Sequence, residues 1–312
     1  MDTPADRTAA EEPAVPAGVR VVVNARAGSS RADVVRAVVR ELETVAPVDL
    51  QATTGVADLR EALLGAGERR IVLLGGDGSV HTALRELRRA GAARAVGPIG
   101  LVPLGTGNDL ARSLHLPLDP VAAARVAVRG RPRDVELAVD DSGGVVVNTA
   151  HVGIGAAATA SAARFKRRMG PLAYPVGAVL AGARPDAGFA LRVVVDGRVV
   201  ADGTPVLMAG IGLGGTIAGG VPFVPDADPH DGVLDVVVST STGPVARVGF
   251  AVGLRQGLHT ARQDVRTDSG RVVEITAERG RAFRVNADGE VSEPVRRVRW
   301  TAEPAAWQAL CP

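Results

Sequence analysis

Three times in the first third of the chain, an apolar run stops at a loop of Gly, Asn, Ser or Thr and a helical repeat follows. The sharpest case is Leu73-Leu74-Gly75-Gly76-Asp77-Gly78-Ser79-Val80-His81. The second is Ile99–Leu104, then Gly105-Thr106-Gly107-Asn108-Asp109, then the helical spacing of Leu110–Leu114. The third is Val19–Val23 followed by Asn24-Ala25-Arg26-Ala27-Gly28-Ser29-Ser30. Strand–loop–helix units of this kind build an open parallel sheet, which gathers its loops at the carboxyl edge where ligands bind. The glycines around Asp77 let a large anion approach backbone N–H groups, and the next helix adds its positive dipole end. A carboxylate beside a phosphate cradle repels phosphate unless a magnesium ion or a substrate hydroxyl stands between them. The segment therefore points to phosphoryl transfer, with a plain βα turn as the alternative. Asn108 or Asp109 is placed to cap the helix that begins at Leu110.

The same texture continues to about Ala127, with helices expected over 31–46, 56–67, 80–90 and 119–129. From about Asp134 the period shortens. Alternating runs occupy 135–139, 145–149, 190–195, 205–209, 234–238, 272–277 and 281–285, divided by turns such as Asp140–Gly144 and Asp196-Gly197. These predict an antiparallel sandwich or barrel, interrupted by helices near 157–182 and 243–260.

Five segments occur in the order seen in the diacylglycerol kinase catalytic-domain family: the N-x-x-x-G loop at 24–28, GGDGS at 75–79, PLGTGNDLAR at 103–112, PDADPHDGVLDV at 225–236 and NADGE at 286–290. The chain resembles that family over roughly 18–300. The resemblance implies an α/β N-terminal domain with an open parallel sheet of the NAD-kinase and diacylglycerol-kinase type, plus a C-terminal antiparallel β-sandwich. It implies a flexible tail at 1–17, a nucleotide-binding domain at 18–133 and a lipid-binding β-rich domain at 134–297. The segment 298–312 is expected to return to the first domain. ATP and Mg²⁺ are the implied cofactors, and a lipid alcohol met at a membrane surface is the implied acceptor. A homodimer is expected on the same ground; the single cysteine fits a reducing cytoplasm, and a lipid acceptor with no membrane span in the chain makes peripheral membrane association the expectation.

By the resemblance, Asn24, Gly28, Thr53, Gly75, Gly76, Asp77, Gly78, Ser79, Gly105, Thr106 and Asn108 line the nucleotide pocket. Without it, Thr53-Thr54 reads equally as a turn before a helix. Glu290 is the expected general base with Asp288 beside it, and Asp77 competes for that role. The residues alone read Asp288-Gly289 as a hairpin turn. Asp109 and Asp134 match acids implied to hold a water-coordinated magnesium; helix capping and a turn are their alternatives. Asp228, Asp231 and the carbonyl of Val233 match a structural magnesium site, since hard oxygen ligands suit that ion.

Composition narrows the field. Of 312 residues 46% are apolar, ample for a core, and net charge is only +2 with dispersed cations. That balance, with 3% aromatics, argues against a nucleic-acid partner. The single cysteine, Cys311, allows no intramolecular disulfide, and no His pair has metal-ligand spacing. Residues 1–16 lack the charged and apolar regions of a signal peptide, and no apolar run reaches the roughly 20 residues of a membrane span. The run Arg164-Phe165-Lys166-Arg167-Arg168 reads as a solvated helix face or as a contact for anionic headgroups.

The chain departs from the family at Ala25, where a proline is usual, at Ser79, at His81-Thr82, at Ala156 and in the glycine-rich stretch Gly212–Gly220. A wall so rich in glycine is expected to widen or loosen the acceptor pocket. Rival readings are a kinase of a sphingoid base, ceramide or another alcohol, an NAD kinase, and a non-catalytic nucleotide or lipid sensor.

Overall fold

The computed structural model describes residues 16–25, 31–153, 188–278 and 281–312. Gly28, Ala156, the basic run at 164–168 and the helix expected at 157–182 lie outside them. The first domain holds strands β1 (Val19–Asn24), β2 (Val48–Thr53), β3 (Arg70–Gly75) and β4 (Gly100–Pro103), parallel and ordered β2-β1-β3-β4. Its helices are α1 (Ala32–Glu43), α2 (Val56–Leu64), α3 (Asp77–Arg89), α4 (Asp109–Ser113) and α5 (Pro120–Arg129). Strand alternation divides the packing. Val19, Val21, Val23, Val72, Leu74 and Val102 face α1 and α5, whereas Val22, Ile71, Leu73 and Leu101 face α2, α3 and α4.

The second domain is a sandwich. One sheet contains β5 (Arg131–Asp140), β6 (Val145-Val146), β8 (Phe189–Val195), β9 (Arg198–Val206), β15 (Val272–Ala277) and β18 (Arg297–Cys311) in the order β6-β5-β18-β15-β8-β9. The other contains β7 (Thr149–Gly153), β10 (Met208–Gly212), β13 (Leu234–Ser239), β14 (Val265–Gly270), β16 (Val285–Ala287) and β17 (Glu290-Val291) in the order β14-β13-β10-β7-β16-β17. A small hairpin of β11 (Thr216-Ile217) and β12 (Val221-Pro222), helix α6 (Pro244–Gln256) and a 3₁₀ turn at His259–Ala261 complete it. Among the described residues no helix is long and apolar enough to cross a membrane.

β9 and β14 stand out from the expected pattern: most of β9 and all of β14 are strands that their sequence does not announce. Both are sheet edges, and their ADGTP and RTDSG segments carry the polar side chains that an edge exposed to water tolerates. The run expected at 145–149 is broken at Val147-Asn148, whose N–H groups bond a side chain instead of a strand. The strand expected at 281–285 pairs over 285–287, with Phe283 in an isolated bridge to Val295.

The last strand serves both domains. Trp300 and Ala302 fill the sandwich core beside Ala138, while Trp307, Ala309 and Cys311 lie in the first domain's core with Val135, Leu137 and Leu84. Before the register shift at Glu303/Trp307 the even positions face the sandwich core; after it Trp307, Ala309 and Cys311 face the other, because side chains alternate along a strand. Glu303, on the odd face, receives Arg88 Nε of α3 at 2.7 Å. Ile99, just before β4, bridges Ala309 in parallel.

Candidate active site

The loop after β3 and the loop after β4 lie backbone against backbone. A Cβ on Gly76 would stand 2.9 Å from the Gly105 Cα, and one on Gly75 would stand 2.6 Å from the Ser79 Cβ. Neither distance is compatible with a side chain, so glycine here is a requirement of close approach. Gly76 caps α3, whose 13 residues aim their positive end at the loop. The Asn108 side chain clamps its own turn, accepting from Gly105 N–H at 2.9 Å and donating to Gly105 O at 3.1 Å. Asn108, at φ +53°, does not cap α4. Neither does Asp109: the Leu110 N–H donates across the cleft to Asp77 Oδ1 at 3.1 Å.

A cavity of about 430 Å³ opens beside these loops, lined by Asn24, Thr53, Gly55, Gly76, Gly78, Ser79 and Thr82 over a floor that includes Val22, Leu73 and Leu74. That size suits a nucleotide-sized ligand. The structure thus brings together Asn24, Thr53, Gly76, Gly78 and Ser79 from three separate loops. Thr106 is exposed, and Gly105 and Asn108 shape the neighbouring loop. Thr82, one of the departures, lines the cavity and donates its hydroxyl to Gly78 O at 2.8 Å.

The acids follow different fates. Asp77 and Asp109 both face Gly107, where a Cβ would lie 2.9 Å from Asp77 Oδ2 and 3.2 Å from Asp109 Oδ2. Asp109 is buried, and its carboxylate accepts from Thr216 Oγ1 at 3.0 Å, Gly219 N–H at 2.9 Å and Gly220 N–H at 2.8 Å. It ties the β11–β12 hairpin to the phosphate-type loop. The stretch Gly212–Gly220 is therefore no loosened wall. Gly219 and Gly220 have φ of +89° and +105°, which let successive N–H groups converge on Asp109, and a Cβ on Gly214 would collide with Asn148 and Ser113 at 2.2 Å.

Asp288-Gly289 is a two-residue hairpin turn between β16 and β17, with φ of +48° and +91°. The Asp288 carboxylate folds back to accept N–H groups of Val147 at 2.7 Å, Asn148 at 3.0 Å and Thr149 at 3.0 Å. His81 Nε2 lies 4.0 Å from Asp288 Oδ2 and bonds Val145 O at 2.9 Å. Burial holds the Asp288 carboxyl above the usual carboxylate range, with His81 and the three N–H groups pulling it part of the way back; three donors converging on its two oxygens favour the ionised form. Asp77 and His81 are one turn apart on one face of α3, so this helix places the hairpin turn next to the GGDG loop. Glu290, beyond the turn, is exposed.

Asp134 stands apart on the outer edge of β5. Gln308 and Arg94, each 2.9 Å away, hold its carboxyl below the usual range. It shares no group of acids with Asp109. Asp228 and Asp231 each accept a nearby backbone N–H, of His230 at 3.1 Å and Val233 at 3.0 Å. Among the described residues no three acid, His or Cys side chains converge on one point. Yet Glu136, only 1% exposed, has no well-formed hydrogen bond on either carboxylate oxygen, the Gly232 N–H offering only a weak one. Burial and then Asp231, with smaller contributions from Asp235 and Asp228, push it to about 8 against the pull of that N–H. Asp235 rises to about 6 through burial and Asp231, Asp226 and Asp228. Such concentrated, partly dehydrated negative charge with hard oxygen donors fits a divalent ion held through few direct ligands.

Nothing in the sequence singles out Glu136 or Asn148 as members of this region, and His81 stands out there only as a departure from the family pattern. Asn148 joins three segments: its Oδ1 accepts from Ser113 Oγ at 3.2 Å, its Nδ2 donates to Thr216 O at 2.7 Å, and its N–H donates to Asp288.

An α/β domain with glycine loops at its carboxyl edge, closed by a β-sandwich that returns its last strand to the first core, defines a two-domain nucleotide-dependent phosphotransferase fold. Residues 18–139 match the family model described as the diacylglycerol kinase catalytic domain, and residues 148–311 match the YegS C-terminal NAD kinase beta sandwich-like domain. A diacylglycerol kinase of Mycobacterium tuberculosis (strain ATCC 25618 / H37Rv) is 30% identical over 263 residues, covering 81% of this chain and 80% of that protein. A protein of Pseudomonas aeruginosa (strain PAO1) named "probable lipid kinase YegS-like" is 31% identical over 259 residues, 81% of this chain and 80% of its own. A crystal structure of a diacylglycerol kinase from Bacillus anthracis str. Sterne superposes with a TM-score of 0.77 over 96% of this chain and 99% of that one, at 21% identity, and so shares the fold. The chain belongs to the diacylglycerol kinase catalytic-domain family of lipid kinases.

Proposed function

We propose that this protein transfers the γ-phosphoryl group of ATP to the hydroxyl of a lipid alcohol, diacylglycerol in the first place, forming a phosphatidic acid. The observation that carries the reading is the placement of the hairpin turn 286–290 beside the GGDG loop by His81 of α3, next to a cavity of about 430 Å³. Phosphoryl transfer asks a protein mainly for positioning and charge stabilisation, plus one base. Asn24, Thr53, Gly76, Gly78 and Ser79 hold the nucleotide, with the α3 N-terminus facing its phosphates. When bound, magnesium would neutralise charge at the phosphates, and Asp77 is the loop carboxylate that would help to hold it. Glu290 takes the proton of the acceptor hydroxyl. The acceptor oxygen bonds to the γ-phosphorus as the bridging P–O bond breaks, and ADP leaves. Asp288 positions Glu290 by anchoring the turn, and Asp109 clasps the two domains. Asp228, Asp231 and the Val233 carbonyl hold a second, structural magnesium away from the chemistry. Diacylglycerol is preferred over other alcohols because the Mycobacterium tuberculosis relative bears that name.

The test is magnesium-dependent transfer of labelled γ-phosphate to diacylglycerol, monoacylglycerol, ceramide and sphingosine in mixed micelles, with NAD as a soluble control. Labelled phosphatidic acid supports the reading. Label in NAD alone overturns it, and ATP binding without transfer to any acceptor points to a sensor.

A further inference from the structure

Between β6 and β7 the chain leaves the strand pattern at Val147-Asn148, and Asn148 is buried there. A buried carboxamide must find partners for its donors and its oxygen, and this one finds them in two distant segments. Its Oδ1 accepts from Ser113 Oγ at 3.2 Å, at the end of α4. Its Nδ2 donates to Thr216 O at 2.7 Å, in β11. A carbonyl can only accept, so Thr216 fixes which end of the amide faces which partner. The backbone of Asn148 reaches two more places. Its N–H donates to Asp288 Oδ1 at 3.0 Å, and its carbonyl accepts from the N–H groups of Leu213 at 2.9 Å and Gly214 at 3.1 Å.

Each partner leads directly to the cleft. α4 begins at Asp109, whose carboxylate accepts from Thr216 Oγ1 at 3.0 Å, so Asp109, Ser113, Asn148 and Thr216 close a ring. Leu110, in the first turn of the same helix, donates to Asp77 Oδ1 at 3.1 Å. On the other side Asp288 anchors the turn that carries Glu290. A continuous path therefore runs from Asp77 through α4 to Asn148, and from Asn148 through Asp288 to the turn at 286–290. Asn148 is its midpoint and lies outside the lining of the nucleotide cavity.

We propose that Asn148 is a positioning residue for phosphoryl transfer: its carboxamide holds α4 and the β11–β12 hairpin at a fixed distance from the 286–290 turn, and so sets the separation between Asp77 and the base. It acts through Ser113, Thr216 and Asp288. This role rests on the lipid-kinase reading, whereas the mechanical coupling beneath it does not. The test joins hydrogen exchange of the full-length protein, read by mass spectrometry, to micellar transfer kinetics at varied ATP. Asn148→Ala removes both side-chain bonds, and Ser113→Ala, at a half-buried site, removes only the bond from α4. In both variants peptides covering 213–221 and 285–291 should exchange about tenfold faster, while α1 keeps its wild-type rate. The kcat should fall about tenfold in Ser113→Ala and on the order of 10²-fold in Asn148→Ala, with the KM for ATP within about twofold of wild type. The double variant should be no slower than Asn148→Ala, because Ser113 acts through the carboxamide. Val193→Ala, which opens the sandwich core far from these bonds in sequence, should lower the melting temperature and keep kcat, as plain destabilisation does. Wild-type exchange at 285–291 in Ser113→Ala overturns the proposal whether or not any lipid is phosphorylated. So does a KM for ATP that rises at unchanged kcat, or a kcat loss in Val193→Ala as large as that in Asn148→Ala. A wild type that phosphorylates lipid, with variants that match it, removes the positioning role and leaves the kinase reading standing. Coupled exchange in a wild type that phosphorylates no lipid removes the kinase reading and the role with it, and leaves the coupling alone.

Discussion

Asp288→Asn separates a brace from a base. The wild-type carboxylate gives one oxygen to the Val147 N–H at 2.7 Å and the other to the Asn148 and Thr149 N–H groups, both at 3.0 Å. Asparagine keeps the shape and loses one acceptor. Its better orientation leaves the oxygen on Asn148 and Thr149 and turns an amide NH₂ toward the Val147 N–H. One buried donor is then unpaired, at about 1–3 kcal/mol, and two charge-assisted bonds become neutral and about half as strong. The expected loss is on the order of 2–4 kcal/mol, a large part of a typical stability of about 5–15 kcal/mol. For a chain of this size that lowers the melting temperature by roughly 3–6 °C. Glu290→Gln is the contrasting variant: it is exposed, so melting should shift little, while turnover should fall by about 10²–10⁴-fold if it removes the base. The assay is a thermal melt paired with micellar phosphoryl transfer. If Asp288→Asn melts with the wild type, the carboxylate is not an ionised acceptor of three N–H groups, and the positioning argument fails. If Glu290→Gln keeps full turnover, the base lies elsewhere, with Asp77 next in line.

Glu136, pushed to about 8, gives a signed pH prediction. An acid whose folded pKa lies above its unfolded value stabilises most when protonated, and that contribution is lost as pH rises from about 4.5 through about 8. Glu136→Gln should therefore gain on the wild type over that window, by up to about 1.4 kcal/mol per pH unit, and run parallel to it above; urea titrations at several pH values that show a constant difference would refute this. Millimolar Mg²⁺ should raise the wild-type melting temperature and leave Asp231→Asn unchanged, and equal shifts in both would remove that residue from the ion site. Asp109→Ala should free the 216–220 hairpin, making it the first site of limited proteolysis; a digestion pattern like the wild type's would show that the clasp is dispensable. Gly105→Ala should drive the two loops apart at the 2.7 Å approach to the Gly76 Cα, raising the KM for ATP more than it lowers kcat, and unchanged ATP kinetics would refute the backbone contact.

The amino-acid sequence by itself determined the local structure. Apolar periods of two and of 3.6 marked the parallel sheet and its helices, and the glycines around Gly76 and Gly105 marked loops that need close approach, because these properties need only near neighbours; that the two loops approach each other came from the fold. The family motifs likewise marked Asn24, Thr53, Gly76, Gly78 and Ser79, and the cavity receives them because a parallel sheet collects its loops at one edge. Tertiary structure decided what each polar side chain does. Asp109 bonds a hairpin over a hundred residues later, Asp288 bonds a segment still farther before it, and His81 connects the two domains. Glu136 looks like any strand glutamate until the fold buries it among Asp228, Asp231 and Asp235. The polar edge strands β9 and β14 and the double service of β18 to two cores were settled in the same way. Hydrogen-bond partners and burial depend on sheet register and on which faces meet, and those are set by the packing of the whole chain.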